Sequence, residues 1–312
     1  MVYSEVGGRC GNQMFTYAIS RKIEMMHNPG ICLNFYNVLQ AGKYDSSWKN
    51  DLFEFNVKQF TIENSNRNLI YKNGNILQIF VFLCFKLICK VPYKTRPIYY
   101  KRQERFQFIL NIFGIYNMTH GYSVLRKSIF KNQFICGTYE DKRFFDDIKN
   151  VLVKELKPLA TISDKNHELF NVINNTESVC VSFRRGDFIN KDNKSLRDIC
   201  DLNYYKKAIN IIKKIKPDAC FIFFSDDLDY IKDNFPKNDN MYFENEGNSV
   251  GEKILLMSSC KNFIMSNSTF CWWAQYLSQE RKDKIIVSPS RWFNMPGYKH
   301  QLIDDDWTLI DC

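Results

Sequence analysis

Two adjacent arginines, Arg184 and Arg185, are the side chains of this sequence best suited to bind an anion. They follow an apolar run, Val179–Phe183, with the pattern of a strand buried on both faces, and Gly186 turns the chain directly after them. Neighbouring guanidinium groups repel each other unless an anion lies between them, and their planar donor forks match phosphate oxygens. The stretch alone is equally consistent with a solvated basic turn, so the choice depends on the rest of the chain.

Two further predicted strands end in polar side chains that fit the same ligand. They deliver Ser225, Asp226 and Asp227 after Ala219–Phe224, and Ser266, Asn267, Ser268 and Thr269 after Phe263–Met265. In an open parallel sheet a ligand binds beyond the carboxyl ends of the strands. The arginines and the backbone amides at the helix start would bind a diphosphate, and Asp226 would accept both donors of a guanine base. A residue such as Asp226, Asp227 or Ser268, taken alone, is more often a helix cap. The occurrence of such polar groups at three neighbouring strand ends favours a ligand site.

The elements that must position these side chains follow an α/β pattern. Strands are predicted at Ser178–Phe183, Ala219–Phe224, Phe263–Met265 and Ile285–Val287, the last stopping before Pro289, and helices at Asn203–Ile215, Leu228–Phe235, Gly251–Cys260 and Thr269–Leu277. This alternation predicts a parallel, doubly wound sheet in the C-terminal half. One of Trp272 and Trp273, at helical spacing with their aromatic neighbours, is expected in the core, and neither is taken as a sugar platform.

The N-terminal half begins as half of a second βαβ unit. A strand at Val2–Val6, a glycine-rich turn, a helix ended by Asn28-Pro29-Gly30 and a strand at Ile31–Phe35 are predicted. The turn lacks the GxGxxG spacing, so evidence for a dinucleotide site is weak. Residues from about 40 to 134 are expected to be mostly helical with long connections, followed by a strand at Phe134–Tyr139 and a helix at Glu140–Phe145, and residues 157–177 are expected to form a linker.

Composition and charge limit the classes of function. The chain has 312 residues, 45% hydrophobic and 25% charged, which predicts globular domains and argues against disorder. A net charge of +9 predicts an acidic partner: nucleic acid, a phosphorylated small molecule or an anionic membrane surface. Much of the excess lies between Lys86 and Lys131, where ten basic residues stand against Glu104 alone.

Cysteine and histidine usage predicts a reduced, metal-free protein. The eleven cysteines are odd in number and scattered through apolar runs, and no secretory signal opens the sequence, which favours a cytoplasmic protein with free thiols. The four histidines are isolated and no cluster has zinc-site spacing, so no structural metal is expected. The most apolar segment, Ile76–Val91, falls short of the ~20 residues of a membrane span. A buried helix is the first interpretation of this segment, and an interfacial helix is the second.

Six motifs follow one another along nearly the whole chain. They are Gly8 with Gly11-Asn12-Gln13-Met14-Phe15, Arg184-Arg185-Gly186-Asp187, Phe224-Ser225-Asp226-Asp227, Leu256-Met257-Ser258 with Cys260, Ser266-Asn267-Ser268-Thr269-Phe270 with Trp272-Trp273, and Pro289 with Trp292-Phe293. In this order they resemble the α-1,2-fucosyltransferases of the blood-group-H and bacterial glycan type. The chain departs from the family pattern at two places: Ser182 stands where the family has His, and the turn from Gly8 to Gly11 is one residue longer.

The resemblance implies an inverting, GT-B-like α/β enzyme with two Rossmann-type domains facing a central cleft. Such an enzyme, a galactoside α-1,2-fucosyltransferase, moves L-fucose from GDP-fucose to the 2-hydroxyl of a galactose-terminated oligosaccharide, with no essential metal and no cofactor. Residues 1–160 would form the acceptor-side domain and residues 161–312 the GDP-fucose-binding domain. By the same resemblance the donor is bound by Asn12, Gln13, Arg184, Arg185, Asp226, Asn267, Ser268 and Thr269.

Catalysis is expected to come from stabilisation of the charge that develops in the transition state. Fixed positive donors stabilise the negative charge that grows on the departing GDP, so Arg184 and Arg185 can substitute for a divalent ion. The acceptor hydroxyl also needs a proton acceptor, unless the transition state is highly dissociative. Asp187 and Asp192 are the nearest carboxylates and the choice between them stays open, because Asp187 could instead orient the arginines.

Three other classes of function compete with this interpretation. The basic charge fits a nucleic-acid-binding protein, but the sequence has no zinc, helix-turn-helix or RNA-binding aromatic signature, and carboxylates beside the arginines would repel a phosphate polymer. A glycan-binding module without turnover and a GT-B transferase that uses another nucleotide sugar are the others. The basic stretch is either a solvated face or a peripheral contact with anionic lipid on the inner face of a membrane.

Overall fold

The computed structural model describes residues 1–90, 96–186, 196–235, 240–294 and 300–312. The chain divides into two compact units, Met1–Leu156 and Lys157–Cys312. Each unit contains one sheet whose paired strands are all parallel, with helices between most of the successive strands. The α/β prediction is therefore confirmed for both halves.

The sheet of the first unit has five strands in the order β3-β2-β1-β5-β4. These are β1 Val2–Glu5, β2 Ile31–Asn34, β3 Thr61–Glu63, β4 Ile115–Met118 and β5 Gln133–Gly137. The helices are α1 Cys10–His27, α2 Tyr36–Ala41, α3 Leu69–Asn73, α4 Ile76–Ile88, α5 Arg96–Ile112 and α6 Lys149–Glu155. Strands β3 and β4, the two edge strands of this sheet, were not predicted from the sequence.

The glycine-rich turn and helix α1 are held by side chains from outside the turn. Gly8 has a left-handed φ of +71°, and a Cβ there would lie 2.7 Å from the Cβ of Asn12. The side-chain amide of Gln13 donates to the carbonyls of Gly8 (3.1 Å) and Lys49 (2.8 Å). Its oxygen accepts the backbone N–H of Asp51 (2.9 Å). The helix ends at Asn28, a left-handed residue with φ 58°, as its Asn-Pro-Gly sequence predicts.

Helix α4 is well specified at its start. The Asn75 side chain accepts the backbone N–H of Gln78 (2.9 Å), and the Gln78 side chain accepts that of Asn75 (3.2 Å), a reciprocal capping box. Gln78, which interrupts the apolar run in the sequence, is buried and also donates to the carbonyls of Phe113 and Asn132. No helix within the described ranges is long and apolar enough to cross a membrane.

The sheet of the second unit has six strands in the order β11-β10-β9-β6-β7-β8. The strands are β6 Glu177–Phe183, β7 Ala219–Ser225, β8 Met241–Phe243, β9 Asn262–Ile264, β10 Ile286–Pro289 and β11 Thr308–Ile310. The helices are α7 His167–Asn175, α8 Leu202–Ile215, α9 Leu228–Asn234, α10 Val250–Ser259 and α11 Thr269–Leu277. The three-residue strands β8 and β11 were not predicted.

Strand β6 is central, and every one of its residues from Ser178 to Phe183 is buried. It pairs with β7 over seven residues, from Glu177 opposite Ala219 to Phe183 opposite Ser225, and with β9 on its other side. The carboxyl ends of β6 and β7 therefore lie side by side. The ring of Phe183 stacks on Tyr205 at 3.9 Å between centroids, which fixes the end of the strand on helix α8.

Two predictions for this unit are wrong. The proposed linker contains helix α7 and is fastened to the unit, because Glu252 accepts hydrogen bonds from the backbone N–H and hydroxyl of Ser163 (2.8 and 2.7 Å) and from Asn166 (2.8 Å). Pro289, expected beyond the last strand, is part of β10. It lies past the residues that pair with β9, so its missing N–H removes no bond on that side.

Candidate functional site

The turn after β6 is organised by a carboxylate from the neighbouring strand end. One oxygen of Asp226 lies 2.7 Å from Nη1 of Arg184, and the other accepts the backbone N–H of Arg185 at 2.9 Å. A Cβ on Gly186 would lie 2.4 Å from Oδ2 of Asp226, so only glycine permits this approach. The structure thus brings Arg184, Arg185 and Asp226 together, as the strand-end argument predicted.

The second arginine is held separately. Nε of Arg185 lies 3.1 Å from Oδ2 of Asp227, and its guanidinium carbon lies 3.4 Å from the centre of the Tyr230 ring. Asp227 also caps α9, because its other oxygen accepts the backbone N–H of Tyr230 (3.3 Å). The capping role foreseen for Asp227 and a role in holding Arg185 therefore coexist. Both arginines remain about a quarter exposed, so a ligand can reach them.

An acid-lined cavity of about 370 Å³ opens beside these carboxylates. Its wall comes from the ends of β7 and β8 and the start of α10: Ser225–Asp229, Glu244–Asn248 and Lys253. Hydrogen-bond acceptors dominate this wall, which suits a ligand that offers N–H and O–H donors and disfavours a phosphate. Glu244 and Lys253 were not predicted. The signal for Glu244 was its place directly after a strand, but β8 was not predicted.

Glu244 is the deepest acid of this cavity. One oxygen accepts the backbone N–H of Ser225 (2.7 Å) and lies 2.8 Å from Nζ of Lys253. Burial raises the pKa of Glu244, and the ion pair with Lys253 opposes that rise. The side chain thereby fixes the end of β7, from which Asp226 and Asp227 project.

Arg185 lines a second cavity, of about 510 Å³. The other residues that line it are Phe183, Asp198, Cys200, Asp201, Leu202, Asn203, Lys206 and Tyr230. Its two cations, Arg185 and Lys206, match its two acids, Asp198 and Asp201, whereas Lys253 is the only Lys or Arg among the residues lining the first cavity. The second cavity is therefore less acidic than the first.

The residues after β9 divide into a buried pair, Ser266 and Asn267, and a half-buried turn. Asn267 is buried and donates to the carbonyls of Arg197 and Trp292, both at 3.0 Å, so its visible role is to join three segments. Ser268 and Thr269 are half-buried at the start of the nine-residue helix α11, and the Ser268 side chain makes no capping bond to that helix. The first amides of α11 are oriented as in an anion-binding helix start.

Ser182, which stands in place of the family's histidine, faces a neighbouring strand end. Its hydroxyl lies 3.0 Å from that of Ser266, and both residues are buried. Its carbonyl accepts the Tyr205 hydroxyl (3.0 Å). Ser182 thus contributes to the joint between β6 and the β9 end.

The remaining predicted site residues fall elsewhere. In the first unit Gln13 is buried in the bonds that shape the glycine-rich turn, and the half-buried Asn12 donates to Glu140 (3.3 Å). Asp187 and Asp192 lie outside the described residues. Trp272 and Trp273 are buried at 1% and 0% exposure, as expected of core residues. Across the described ranges no group of three His, Cys, Asp or Glu side chains could hold a metal ion.

Comparison with known proteins finds a family and relatives that match nearly the whole chain. The model of the family "Glycosyl transferase family 11" matches residues 1–311. The Escherichia coli O-antigen biosynthesis glycosyltransferase WbnK is 27% identical over 98% of this chain and 99% of its own length. An Escherichia coli alpha-1,2-colitosyltransferase is 27% identical over 94% of this chain and 92% of its own.

Among solved structures, the fucosyltransferase NodZ from Bradyrhizobium superposes with a TM-score of 0.50 at 12% identity. The match covers 88% of this chain and 93% of NodZ. At this identity the similarity concerns the fold alone, and it confirms the predicted GT-B-like class of two Rossmann-type α/β domains.

Proposed function

The chain belongs to glycosyl transferase family 11, and from that membership we propose that it transfers L-fucose from GDP-fucose to the 2-hydroxyl of a terminal β-galactoside, with inversion at the anomeric carbon. The membership makes it a glycosyltransferase; the donor sugar, the acceptor and the linkage are the proposal. The observation that carries it is the pair of arginines at the end of β6, each held by a carboxylate from β7.

The arginine pair suits a diphosphate. A guanidinium has five N–H donors in a rigid fork, so a single carboxylate does not saturate it. Asp226 and Asp227 hold the two forks in place before any ligand arrives, which lowers the cost of ordering them when the donor binds. The backbone N–H of Ser268 already donates to the carbonyl of Ser266 (2.8 Å), so further donors to the diphosphate would come from the first turn of α11 beyond it.

The acid-lined cavity suits the base and ribose of the nucleotide. Guanine presents one ring N–H and one amino group on the same edge, and a carboxylate accepts both. Asp226 is our candidate, because it lines this cavity and each of its oxygens has a second lone pair beyond the arginine contacts. Glu244, deeper in the same cavity, is the competing acceptor.

These two acceptors can be distinguished with inosine diphosphate, which lacks the amino group of guanine. Wild-type protein should bind GDP more tightly than inosine diphosphate by roughly tenfold, the value of one hydrogen bond to a charged group. The variant that removes the true acceptor, Asp226→Asn or Glu244→Gln, should lose this preference. If both variants keep it, neither carboxylate recognises the base.

Catalysis follows from where charge develops. As the bond from fucose to phosphate breaks, the sugar becomes oxocarbenium-like and the diphosphate gains negative charge. Arg184 and Arg185 stabilise that charge more in the transition state than in the bound donor, which lowers the barrier. We propose that they do so without a metal ion or other cofactor; turnover undiminished by excess EDTA would support this.

For the proton of the acceptor hydroxyl, Asp187 and Asp192 remain our candidates. Both follow the arginine turn in sequence. A true general base should give an Asp→Asn variant whose rate no longer rises with pH along the acidic limb. Unchanged pH profiles in both variants would exclude both carboxylates as the base.

The proposal is tested by offering the protein a panel of donors with a panel of β-galactosides. GDP-fucose should give a product that NMR shows to be linked at the 2-hydroxyl of galactose, whereas UDP-sugars should give none. A colitose nucleotide belongs in the panel because one relative is an alpha-1,2-colitosyltransferase. Binding of glycans without turnover of any donor would instead identify a non-catalytic module.

A further inference from the structure

Helix α4 is apolar on all sides, but only one of its faces is covered. Phe82 and Phe85 point into a cluster with Leu110 and Phe134 in the first unit. On the opposite face the exposed fractions are 88% for Ile76, 61% for Phe80 and 73% for Leu87, and Leu83 is exposed as well. A helix that is apolar all round is normally buried or inserted in a membrane, so the open face needs a partner.

Helix α5 lies beside α4 and runs in the opposite direction. Gln78 donates to the carbonyl of Phe113 (2.8 Å), and Arg102 donates to the carbonyl of Ile88 (2.7 Å). The start of α4 thus lies at the end of α5, and the end of α4 near the start of α5. The four exposed side chains at helical spacing on this face are what we name the α4 surface: Ile76, Phe80, Leu83 and Leu87.

The stretch of chain that contains α4 and α5 carries charge of nearly one sign. Of the described side chains between residues 76 and 131, Lys86, Lys90, Lys101, Arg102, Arg105, Arg126, Lys127 and Lys131 are basic, and Glu104 alone is acidic. A symmetric contact with a second copy of the chain would bring like charges together. A nucleic acid would match the charge but would leave the apolar side chains facing phosphates. An anionic lipid surface satisfies both features.

We propose that the α4 surface docks the protein on an anionic bilayer. Helix α4 has 13 residues and is therefore about 20 Å long, too short for a hydrocarbon core of about 30 Å. It would lie in the interface, its open face inserted and the Lys and Arg of this stretch against lipid phosphates. This inference goes beyond sugar transfer, and its test does not depend on turnover.

The test is flotation of the full chain with lipid vesicles at about 0.15 M salt. Wild-type protein should float with phosphatidylcholine vesicles that contain about 30 mol% phosphatidylglycerol, and not with phosphatidylcholine alone. Phe80→Ser/Leu83→Ser/Leu87→Ser should bind at least tenfold less. Its matched control alters similarly exposed residues of the second unit, Leu159→Ser/Ile215→Ser/Leu309→Ser, and should bind like the wild type.

A second pair of variants tests the charge. Lys90→Glu/Lys101→Glu/Arg105→Glu should lose on the order of a hundredfold in binding, since each basic residue near the surface contributes roughly fivefold. The control Lys207→Glu/Lys214→Glu/Lys282→Glu changes the net charge equally and should lose far less. The proposal is overturned if the wild-type protein does not bind anionic vesicles, or if the variant with serine at Phe80, Leu83 and Leu87 (the Ser triple) binds them as well as the wild type does. A dimer that this Ser triple abolishes would assign the surface to a second copy instead.

Discussion

Oδ2 of Asp226 lies 2.7 Å from Nη1 of Arg184, and this contact joins the ends of two adjacent parallel strands. Strands β6 and β7 are in register up to the pair Phe183 and Ser225. Arg184 and Asp226 are the next residue after each strand, so their side chains start from neighbouring positions. The anion-binding fork is therefore positioned by the sheet itself. Its orientation does not have to be created when the donor binds.

Removal of either guanidinium should abolish most of the transfer. We expect Arg184→Ala and Arg185→Ala each to lower kcat by about 10²–10³, the usual cost of one preorganised donor to a developing anion. Both side chains are partly exposed, so the free energy of unfolding should change little. Initial-rate kinetics with GDP-fucose measure the effect, and the exposed Arg67→Ala is the matched control. Near-normal turnover in either variant would contradict the assignment.

Asp226 should act on catalysis through Arg184. If so, Asp226→Ala lowers kcat in the wild type but costs little more once Arg184 is already alanine. A double-mutant cycle on kcat at saturating donor should therefore show a coupling of about 1–3 kcal/mol, because binding of the base by Asp226 contributes to KM and not to kcat. Additive losses would mean that Asp226 contributes independently of the fork.

The glycine after the fork should be irreplaceable for steric reasons. In Gly186→Ala the new Cβ would approach Oδ2 of Asp226 to 2.4 Å, so the carboxylate must leave Arg184. We expect at least a tenfold loss of kcat/KM with an unchanged circular dichroism spectrum. Gly7→Ala is the control, because a Cβ at Gly7 meets no atom within 4 Å. Equal activity of the two variants would show that the close approach is unimportant.

The second half of the fold was predictable because its strands are long and apolar. The seven-residue strands β6 and β7 and the amphipathic helix α8 carry periodicity that a sequence reveals. Their ends correctly indicated Arg184, Arg185 and Asp226 as neighbours. Strands β8 and β11 were missed; they are the two edge strands of the sheet and are only partly buried, unlike the equally short but fully buried β9. Because β8 was missed, Glu244 and its wall of the acidic cavity were missed as well.

The first unit shows the other limit of sequence reasoning. Gln13 was predicted to bind the donor, and in the structure its amide donates to the carbonyls of Gly8 and Lys49. The contact with Lys49 spans 36 residues of sequence, and no local pattern encodes it. The first interpretation of the apolar run of α4 was a buried helix, and the second was an interfacial helix. Its exposed face depends on how α5 packs beside it, which is a tertiary fact.

The buried carboxyl of Asp51 should make stability depend on pH. Burial raises its pKa from 3.8 to about 6, and Oδ1 finds no hydrogen-bond partner among the described residues. A raised carboxyl pKa favours the folded state while the group is protonated. This advantage is therefore lost as pH rises from about 4 to about 6.

Asp51→Asn should accordingly stabilise the protein near neutral pH. The shift from 3.8 to about 6 corresponds to a gain of up to about 3 kcal/mol above pH 6 and little gain near pH 4. Urea unfolding at both pH values measures the difference. The exposed Asp218→Asn is the control and should be neutral at both. A variant less stable than the wild type at about pH 8 would refute the sign.

The most direct test of the account is a calorimetric titration of the protein with GDP in excess EDTA. The account predicts a single site per chain that needs no divalent ion. It also predicts an affinity about 10–100-fold weaker in Arg184→Ala, the loss expected for hydrogen bonds from a charged donor. Equal GDP affinity in the two proteins, or binding that appears only when a divalent ion is restored, would contradict a cationic cradle at the end of β6.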